Sequence, residues 1–205
     1  YYVNCDNLVA SNSDGEFAGL VSLNLKRNYP GRNDTFFGDP DEIVVACTNG
    51  LQVRFTVYEK TYENNGATRR NFKYTVDNTL TAQVNAQLGN VAATDFIALL
   101  GMRSRNFLYP DNTRPEDNLL LATRTPAGKV LVSGEIRGEV ANIPISKTLD
   151  TDASSIRDIK CADADLNYVD ELAVLKNDGT VDFFECKMNA GYDFVRQSSL
   201  QGLGS

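Results

Sequence analysis

Short apolar or alternating segments, closed by turns that contain glycine, dominate the hydrophobic pattern of this chain. Residues 53–58 alternate apolar and polar side chains, which is typical of a strand with one buried face. Residues 130–132 are apolar throughout, as in a strand that is buried on both faces. The pattern predicts strands at residues 8–10, 43–46, 51–58, 73–76, 119–122, 129–132, 172–175 and 181–184.

The remaining segments give weaker signals. Residues 92–102 suit a short helix or a strand, and we favour the strand because Thr94-Asp95-Phe96-Ile97-Ala98 resembles the start of a unit that recurs along the chain. Three largely polar segments are predicted to be loops, at residues 62–70, 103–116 and 145–155. Residues 197–205 are predicted to form a flexible tail. Because no linker divides the chain, we expect a single repeat-containing domain over residues 1–205.

Four segments of the chain are copies of one another. Each begins with Asp and a short apolar run and ends in a turn with Gly, and the copies start at residues 6, 41, 117 and 170. Such self-similarity indicates one supersecondary unit that is used several times. Four copies in 205 residues leave about 50 residues each, enough for four antiparallel strands and their turns. The sequence therefore predicts an all-β, propeller-like fold of four or five blades, which could form part of a larger ring. The fifth blade would come from a degenerate copy of the repeat around Asp95.

Three of the copies end in turns suited to hairpins. Asp14-Gly15, Asn49-Gly50 and Asp178-Gly179 place a residue that tolerates positive φ before a glycine. We therefore expect each copy to form a strand–turn–strand unit.

The charge and composition exclude several classes of function. A net charge of −7 and a pI near 4.7 argue against nucleic acid or an anionic membrane as a partner. No run of 18 apolar residues is present, so we expect no membrane span. The chain opens inside its first repeat and without a signal-peptide pattern, so we expect upstream residues to have been removed. Because histidine is absent, a His-dependent catalytic triad or a His-ligated metal site cannot exist in this sequence.

The four cysteines and one sequon favour an oxidising, extracellular compartment. The cysteines form no Cys-x-x-Cys motif, and their even number favours two disulfides. We expect Cys161 to pair with Cys186, because both belong to the last repeat, which leaves Cys5 to pair with Cys47. The alternative is four small buried side chains in a cytosolic protein. The sequon at Asn33 is compatible with glycosylation.

The last repeat carries the strongest candidate for a metal site. Asp163, Asp165, Asn167 and Glu171 place oxygen ligands at positions 1, 3, 5 and 9 of a tight loop, as a hard cation such as Ca²⁺ requires. The alternative is a solvated acidic turn whose side chains cap backbone amides. A second acidic loop, formed by Asp39, Asp41 and Glu42, is a weaker candidate of the same kind.

Residues 163–174 and the turn at 177–179 resemble the FG-GAP/VCBS repeat of integrin-type β-propellers. That repeat runs Asp-x-Asp-Gly-Asp-Gly-x-x-Asp/Glu, followed by an apolar strand and a Gly turn. The resemblance is good over residues 159–185, partial over 38–58 and weak elsewhere, and Leu166 and Tyr168 replace the usual loop glycines. It implies a propeller with Ca²⁺ in its loops, in a protein that is secreted or on the cell surface. It also implies a use in adhesion, in carbohydrate or protein binding, or as a rigid platform.

These observations favour a secreted or cell-surface, non-enzymatic module that binds glycans or proteins through inter-blade loops and is stabilised by calcium. The alternative from another class is a structural subunit of an extracellular assembly such as a filament, sheath or surface layer. Such a subunit would self-associate. An enzyme that uses carboxylates alone is a third alternative, although no acidic pair in the sequence is marked as catalytic.

Overall fold

The computed structural model describes residues 15–23, 25, 42–63, 71–105, 115–136, 143–164, 170–188 and 192–200. In this part of the chain the structure is mostly β, with three antiparallel sheets and one α-helix. The predicted all-β class is confirmed at this level. The chain divides into two compact units, Tyr1–Thr94 and Asp95–Ser205. None of the described helical residues forms a segment long and apolar enough to cross a bilayer.

The first unit contains one sheet, here called sheet I. Its strands run in the order β1, β2, β3, β4, and β5 also pairs with β3. Their bounds are β1 Glu16–Leu23, β2 Glu42–Thr48, β3 Gln52–Glu63, β4 Asn71–Val76 and β5 Val91–Ala92.

One helix, α1 (Asn78–Leu88), lies between β4 and β5. The Asp77 carboxylate accepts hydrogen bonds from the amides of Thr79 and Leu80 at 2.9 Å each, which satisfies two of the unpaired donors at the helix start. Gly89 ends the helix at a φ of 73°, where a residue without Cβ is unstrained.

This helix closes the edge of β3 between the positions where β5 and β4 pair with it. The Asn85 amide accepts from the Phe55 N–H at 3.2 Å and donates to the Phe55 carbonyl at 2.6 Å, as a neighbouring strand would. The Thr81 hydroxyl accepts from the Val57 N–H at 3.0 Å. The helix therefore replaces a length of edge strand and leaves less of the β3 edge open for pairing with another chain.

The second unit contains sheets II and III, each of four strands in sequence order. Sheet II consists of β6 Phe96–Arg105, β7 Pro115–Arg124, β8 Lys129–Ile136 and β9 Ile143–Asp152. Sheet III consists of β10 Ile156–Ala162, β11 Glu171–Lys176, β12 Val181–Met188 and β13 Tyr192–Leu200. Each sheet is thus an up-and-down meander.

Three of the four sequence copies form the two middle strands of the three sheets. The copies that start at residues 41, 117 and 170 give the hairpins β2–β3, β7–β8 and β11–β12. Gly50 and Gly179 turn these hairpins at φ values of 87° and 81°, which glycine adopts without strain. The predicted strand–turn–strand units are confirmed for these three copies. Of the first copy, residues 6–14 lie outside the described residues.

Sheets II and III pack against each other across one apolar core. Sheet II contributes Leu120, Ala122 and Val132, among others, and sheet III contributes Leu172, Val174 and Phe184. The first strands β6 and β10 lie against each other, as do the last strands β9 and β13. The two sheets are therefore stacked with equivalent strands matched.

Several expectations need correction, and others hold. The helix α1 was not predicted, and residues 143–152 form a strand where a loop was expected at 145–155. Strand β13 extends to Leu200, inside the segment that was expected to be a flexible tail. The preference for a strand within 92–102 is confirmed by β6. No closed propeller ring is detected in the described residues, so the number of blades stays a prediction.

Candidate functional site

In the three repeats that the structure describes, the second residue ties the hairpin to the chain that leads into it. Glu42, Asn118 and Glu171 occupy this position, and all three are buried. Glu42 accepts from the Leu25 N–H at 2.8 Å, and Glu171 accepts from the Ala164 N–H at 2.8 Å. Because a neutral Asn replaces Glu in one copy, the common role of this position is a backbone hydrogen bond rather than a charge.

The middle copy makes the same tie with the hydrogen bond reversed. The Asn118 side-chain amide donates to the Met102 carbonyl at 3.0 Å. A side-chain amide can donate a hydrogen bond, whereas a carboxylate can only accept one. The partner of Asn118 is therefore a backbone carbonyl, whereas the partners of Glu42 and Glu171 are backbone N–H groups. The position thus holds the start of the second strand against the end of the first in all three sheets.

The first residue of the last repeat clamps sheet III to sheet II. The Asp170 carboxylate accepts from the Arg103 N–H at 2.7 Å and from the Arg103 Nε at 3.2 Å. The Asp170 N–H donates to the Arg103 carbonyl at 2.9 Å, and the Arg103 guanidinium lies 3.1 Å from the same carboxylate. The Asp170 side chain is buried, so these hydrogen bonds replace the ones that its carboxylate would make with water in the unfolded chain.

The predicted calcium ligands are only partly visible in the described residues. Asp163 is half-buried after the end of β10, and Glu171 begins β11 with one oxygen bonded to Ala164. Asp165 and Asn167 lie outside the described residues. Within the described residues, no three acidic or cysteine side chains converge as a metal site would require. The calcium site therefore stays a prediction.

The weaker acidic loop has one described member. Asp39 and Asp41 lie outside the described residues, whereas Glu42 is buried and hydrogen-bonded to the Leu25 amide. The described role of Glu42 is therefore to hold the chain between β1 and β2.

Two further sites that were predicted, Cys5 and the sequon at Asn33, lie outside the described residues. Both stay predictions. Cys47, the expected partner of Cys5, is buried in β2 beside Val45 and Tyr58.

Cys161 and Cys186 do not form the predicted disulfide in this structure. Both are free thiols on the first and third strands of sheet III, with β11 between them. Two strand spacings separate such strands by roughly 10 Å, beyond the Cα separation of about 4.4–6.8 Å that a disulfide spans. The sequence placed the two cysteines in one repeat and predicted the strand at 172–175 between them, but it did not show that β10 and β12 pair with opposite edges of that strand.

We expect these two thiols to be unreactive in the native protein. Burial raises the pKa of Cys161 well above its usual range and raises that of Cys186 to about 12, so the reactive thiolate is scarce at neutral pH. A thiol reagent should label both only after denaturation without reductant. If denatured, unreduced protein offers no thiol at either position, the disulfide exists and the β10–β12 spacing described here is wrong.

A cluster of charged side chains lies at the end of sheet III that contains the Asp178-Gly179 turn. Asp182 is fully buried, and its carboxylate lies 2.6 Å from Lys176 Nζ and within hydrogen-bond distance of Arg196 and Ser199. Burial alone would raise the pKa of Asp182. The hydrogen bonds from Lys176, Ser199 and Arg196 outweigh that effect and hold the pKa below its usual range.

This depressed pKa predicts an acid-dependent loss of stability. An unfolded Asp has a pKa of about 3.9, so the stabilisation by Asp182 is fully present above that pH and is lost as the pH falls through the lower folded value. We expect wild type to lose more unfolding free energy than Asp182→Asn between neutral pH and about pH 2. Urea melts at several pH values measure the difference. If the unfolding free energies of wild type and Asp182→Asn fall in parallel with pH, Asp182 is not the group that causes the acid-dependent loss of stability.

The far face of sheet III, which does not meet sheet II, contains an open groove. The groove has a volume of about 460 Å³ and is lined by Ala164, Glu171, Phe183, Glu185, Gln197, Ser198 and Leu200. The Gln197 amide donates to Glu185 at 2.7 Å, so two lining groups are held in place. Phe183 and Glu185 share this face because they lie two residues apart in β12.

Comparison of the chain with protein-family models, curated proteins and solved structures returned no match. The resemblance to FG-GAP/VCBS repeats therefore rests on the sequence alone and stays a prediction.

Proposed function

We propose that this chain is a secreted or cell-surface, non-enzymatic binding module built from FG-GAP/VCBS-like propeller blades. The observation that carries the proposal is the threefold use of one four-stranded meander, with a sequence copy at the centre of each. Four-stranded antiparallel meanders are the blades of propellers. The matched stacking of sheets II and III is the arrangement that consecutive blades would have.

The ligand in this proposal is a glycan or an extracellular protein, bound by the loops between strands. The repeated Asp-Glu and Asp-Asn pairs hold backbone segments together, so they make the sheets a rigid support. Binding residues are disproportionately found on loops that a rigid scaffold positions. The net charge of −7 makes a neutral or cationic ligand more suitable than a polyanion.

A binding screen tests this function. The intact chain is applied to a glycan array and to a panel of extracellular proteins, and each hit is remeasured with residues 106–114 replaced by Gly and Ser at equal length. Loss of binding in this variant, or in a matched replacement of residues 64–70, supports loop recognition. Absence of any hit, or hits that survive every loop replacement, counts against it.

Calcium in the last repeat belongs to the same proposal. Asp163, Asp165, Asn167 and Glu171 would supply the oxygen ligands, and Glu171 would do so while it accepts the Ala164 N–H, since a carboxylate has two oxygens. A bound Ca²⁺ would neutralise the acidic loop and tie the end of β10 to the start of β11.

Removal of calcium is expected to lower the melting temperature. A ligand that binds only the native state stabilises it by about 2.7 kcal/mol at a hundred times its Kd. Asp165→Ala should abolish most of this dependence, whereas Asp14→Ala, at a predicted turn without the ligand pattern, should retain it. Differential scanning calorimetry with calcium and with a chelator measures the effect. A wild-type melt that does not respond to chelation would leave the loop as a structural acidic turn.

The second candidate function is a structural subunit of an extracellular assembly. It is favoured by the half-buried apolar side chains on the far face of sheet III, because open apolar faces mark interaction surfaces. Size-exclusion chromatography separates the candidates, since a discrete monomer at all concentrations argues against the assembly.

A further inference from the structure

The turn between β2 and β3 places a side-chain amide next to a backbone nitrogen that can attack it. Asn49 is followed directly by Gly50, and both residues are exposed to water. Gly50 adopts a φ of 87°, and a Cβ added there would meet no atom within 4 Å. Because glycine has no side chain, its nitrogen is the least hindered one for closing a succinimide ring on a preceding Asn. The turn is therefore a candidate site of covalent modification.

Two backbone donors converge on the side-chain oxygen of this Asn. Asn49 Oδ1 accepts from the Leu51 N–H at 3.0 Å and from the Gln52 N–H at 2.9 Å. When a nitrogen adds to the Asn49 Cγ, negative charge develops on Oδ1. Donors that already point at this oxygen stabilise such a charge without reorganisation, as in an oxyanion hole. The two amides therefore make the Asn49 Cγ a better electrophile.

The attacking nitrogen has a proton acceptor beside it. The Gly50 N–H donates to Thr48 Oγ1 at 3.0 Å. An acceptor in this position draws the proton away from the nitrogen and so increases its nucleophilicity. The hydrogen bond lies in the peptide plane, whereas the nitrogen attacks from above that plane, so the bond leaves the path of attack open. Thr48 itself is fixed at the end of β2, opposite Glu16 in β1 and Val53 in β3.

We propose that Asn49 is a self-modifying site, at which the β2–β3 turn promotes deamidation with water as the co-reactant. The Gly50 nitrogen forms a bond to the Asn49 Cγ and gives up its proton. The bond between Cγ and Nδ2 then breaks, and Nδ2 leaves as ammonia with one added proton. Water next adds to one of the two succinimide carbonyls and opens the ring to aspartate or isoaspartate at position 49. No oxidant or reductant takes part.

The product changes both the charge and the backbone of the turn. Either product replaces a neutral amide with a carboxylate, in a chain whose net charge is already −7. Isoaspartate also places the Cβ of residue 49 in the main chain, so the bond from the Asn49 N–H to the Gln52 carbonyl, now 3.3 Å, loses its geometry. This inference goes beyond the binding function proposed above and does not require it.

Peptide mapping by mass spectrometry during long incubation at neutral pH tests the proposal. Wild type should accumulate aspartate and isoaspartate at position 49. Thr48→Val keeps the branched shape but removes the acceptor, so it should slow this conversion about fivefold, the rate equivalent of one hydrogen bond. Thr48→Ser keeps the hydroxyl and should retain most of the wild-type rate. The chain contains a second Asn-Gly pair, Asn65-Gly66, whose conversion should be the same in all three proteins.

A turn that only protects Asn49 would give the opposite result. If the hydrogen bonds merely hold the amide away from the nitrogen, Thr48→Val loosens the turn and conversion becomes faster. Incubation in urea shows whether the effect needs the folded turn, because wild type and Thr48→Val should then convert at equal rates. Circular dichroism checks that each variant is folded, and Thr48→Ala replaces Thr48→Val if the latter is not. Absence of product at position 49 in wild type, conversion that Thr48→Val leaves unchanged or accelerates, or a difference that persists in urea would overturn the proposal.

Discussion

Leu172→Ala should lower the free energy of unfolding of the second unit by about 3 to 5 kcal/mol, the largest loss we expect from one substitution. Leu172 is fully buried, lies between Cys161 on β10 and Phe184 on β12, and packs into the core shared by sheets II and III. Removing its side chain takes apolar atoms from the core and leaves a cavity between two sheets that are held by rigid hydrogen-bond ladders. Because the sheets cannot collapse freely, the cavity should persist.

Urea unfolding followed by far-UV circular dichroism measures this loss, since tryptophan is absent from the chain. Leu172→Met preserves most of the volume and should cost less than about 1.5 kcal/mol. Leu51→Ala, at an exposed turn position, should change stability by less than about 0.5 kcal/mol. If Leu172→Ala costs no more than Leu51→Ala, sheets II and III do not share the core described here.

The hairpins could be predicted from the sequence because their signals are local. Asn49-Gly50 and Asp178-Gly179 specify the turn by backbone chemistry, and the apolar runs on either side specify the strands. The repetition of this pattern then indicated that the repeated units would have similar folds. What the sequence did not reveal is how many such units meet, because blade number depends on packing angles between sheets rather than on any one residue.

The helix α1 escaped prediction because its buried side is partly polar. Leu80 and Val84 are its buried apolar residues, while Thr81 and Asn85 face β3 and bond to its backbone. A stripe of two apolar side chains gives little helical periodicity. The start at Asp77 and the end at Gly89 are cap signals that were present in the sequence and would have located the helix.

Strand β9 was missed for a related reason. Ile145, Leu149 and Thr151 are buried in alternation with exposed polar residues, but Pro144 and the polar majority suggested a loop. Pro144 is tolerated because β9 is the last strand of sheet II, where one side of the strand has no ladder to interrupt.

The candidate site shows a more general ambiguity. Carboxylate oxygens accept hydrogen bonds from backbone amides as readily as they coordinate Ca²⁺, so Asp-x-Asp-x-Asn spacing alone cannot separate the two uses. The comparison of Glu171 with Asn118 gives information that the last repeat alone could not. It shows that one residue of the predicted ligand set has a structural role in every described copy.

Asp170→Ala should destabilise the second unit by about 2 to 3 kcal/mol, because it removes the clamp between sheets III and II. The change leaves the Arg103 N–H, whose hydrogen bond is partly buried, without the carboxylate that it donates to at 2.7 Å, and an unsatisfied donor of this kind costs about 1 to 3 kcal/mol. It also removes the charge-assisted bond to the Arg103 guanidinium. Because the Arg103 side chain is 48% exposed, water can solvate it again, which keeps the loss below that of a fully buried pair.

A second ion pair between the same sheets provides the matched control. Lys147 on β9 lies 2.8 Å from Asp193 on β13, and both side chains are about 40% exposed. Lys147→Ala should therefore cost no more than about 1 kcal/mol, as exposed pairs do. Asp170→Asn keeps an oxygen that can accept from the Arg103 N–H, so its loss of unfolding free energy should lie between those of Asp170→Ala and Lys147→Ala. Urea melts of the three variants give the order. If Asp170→Ala is as mild as Lys147→Ala, the repeat's leading Asp is a surface charge and not the residue that joins one sheet to the next.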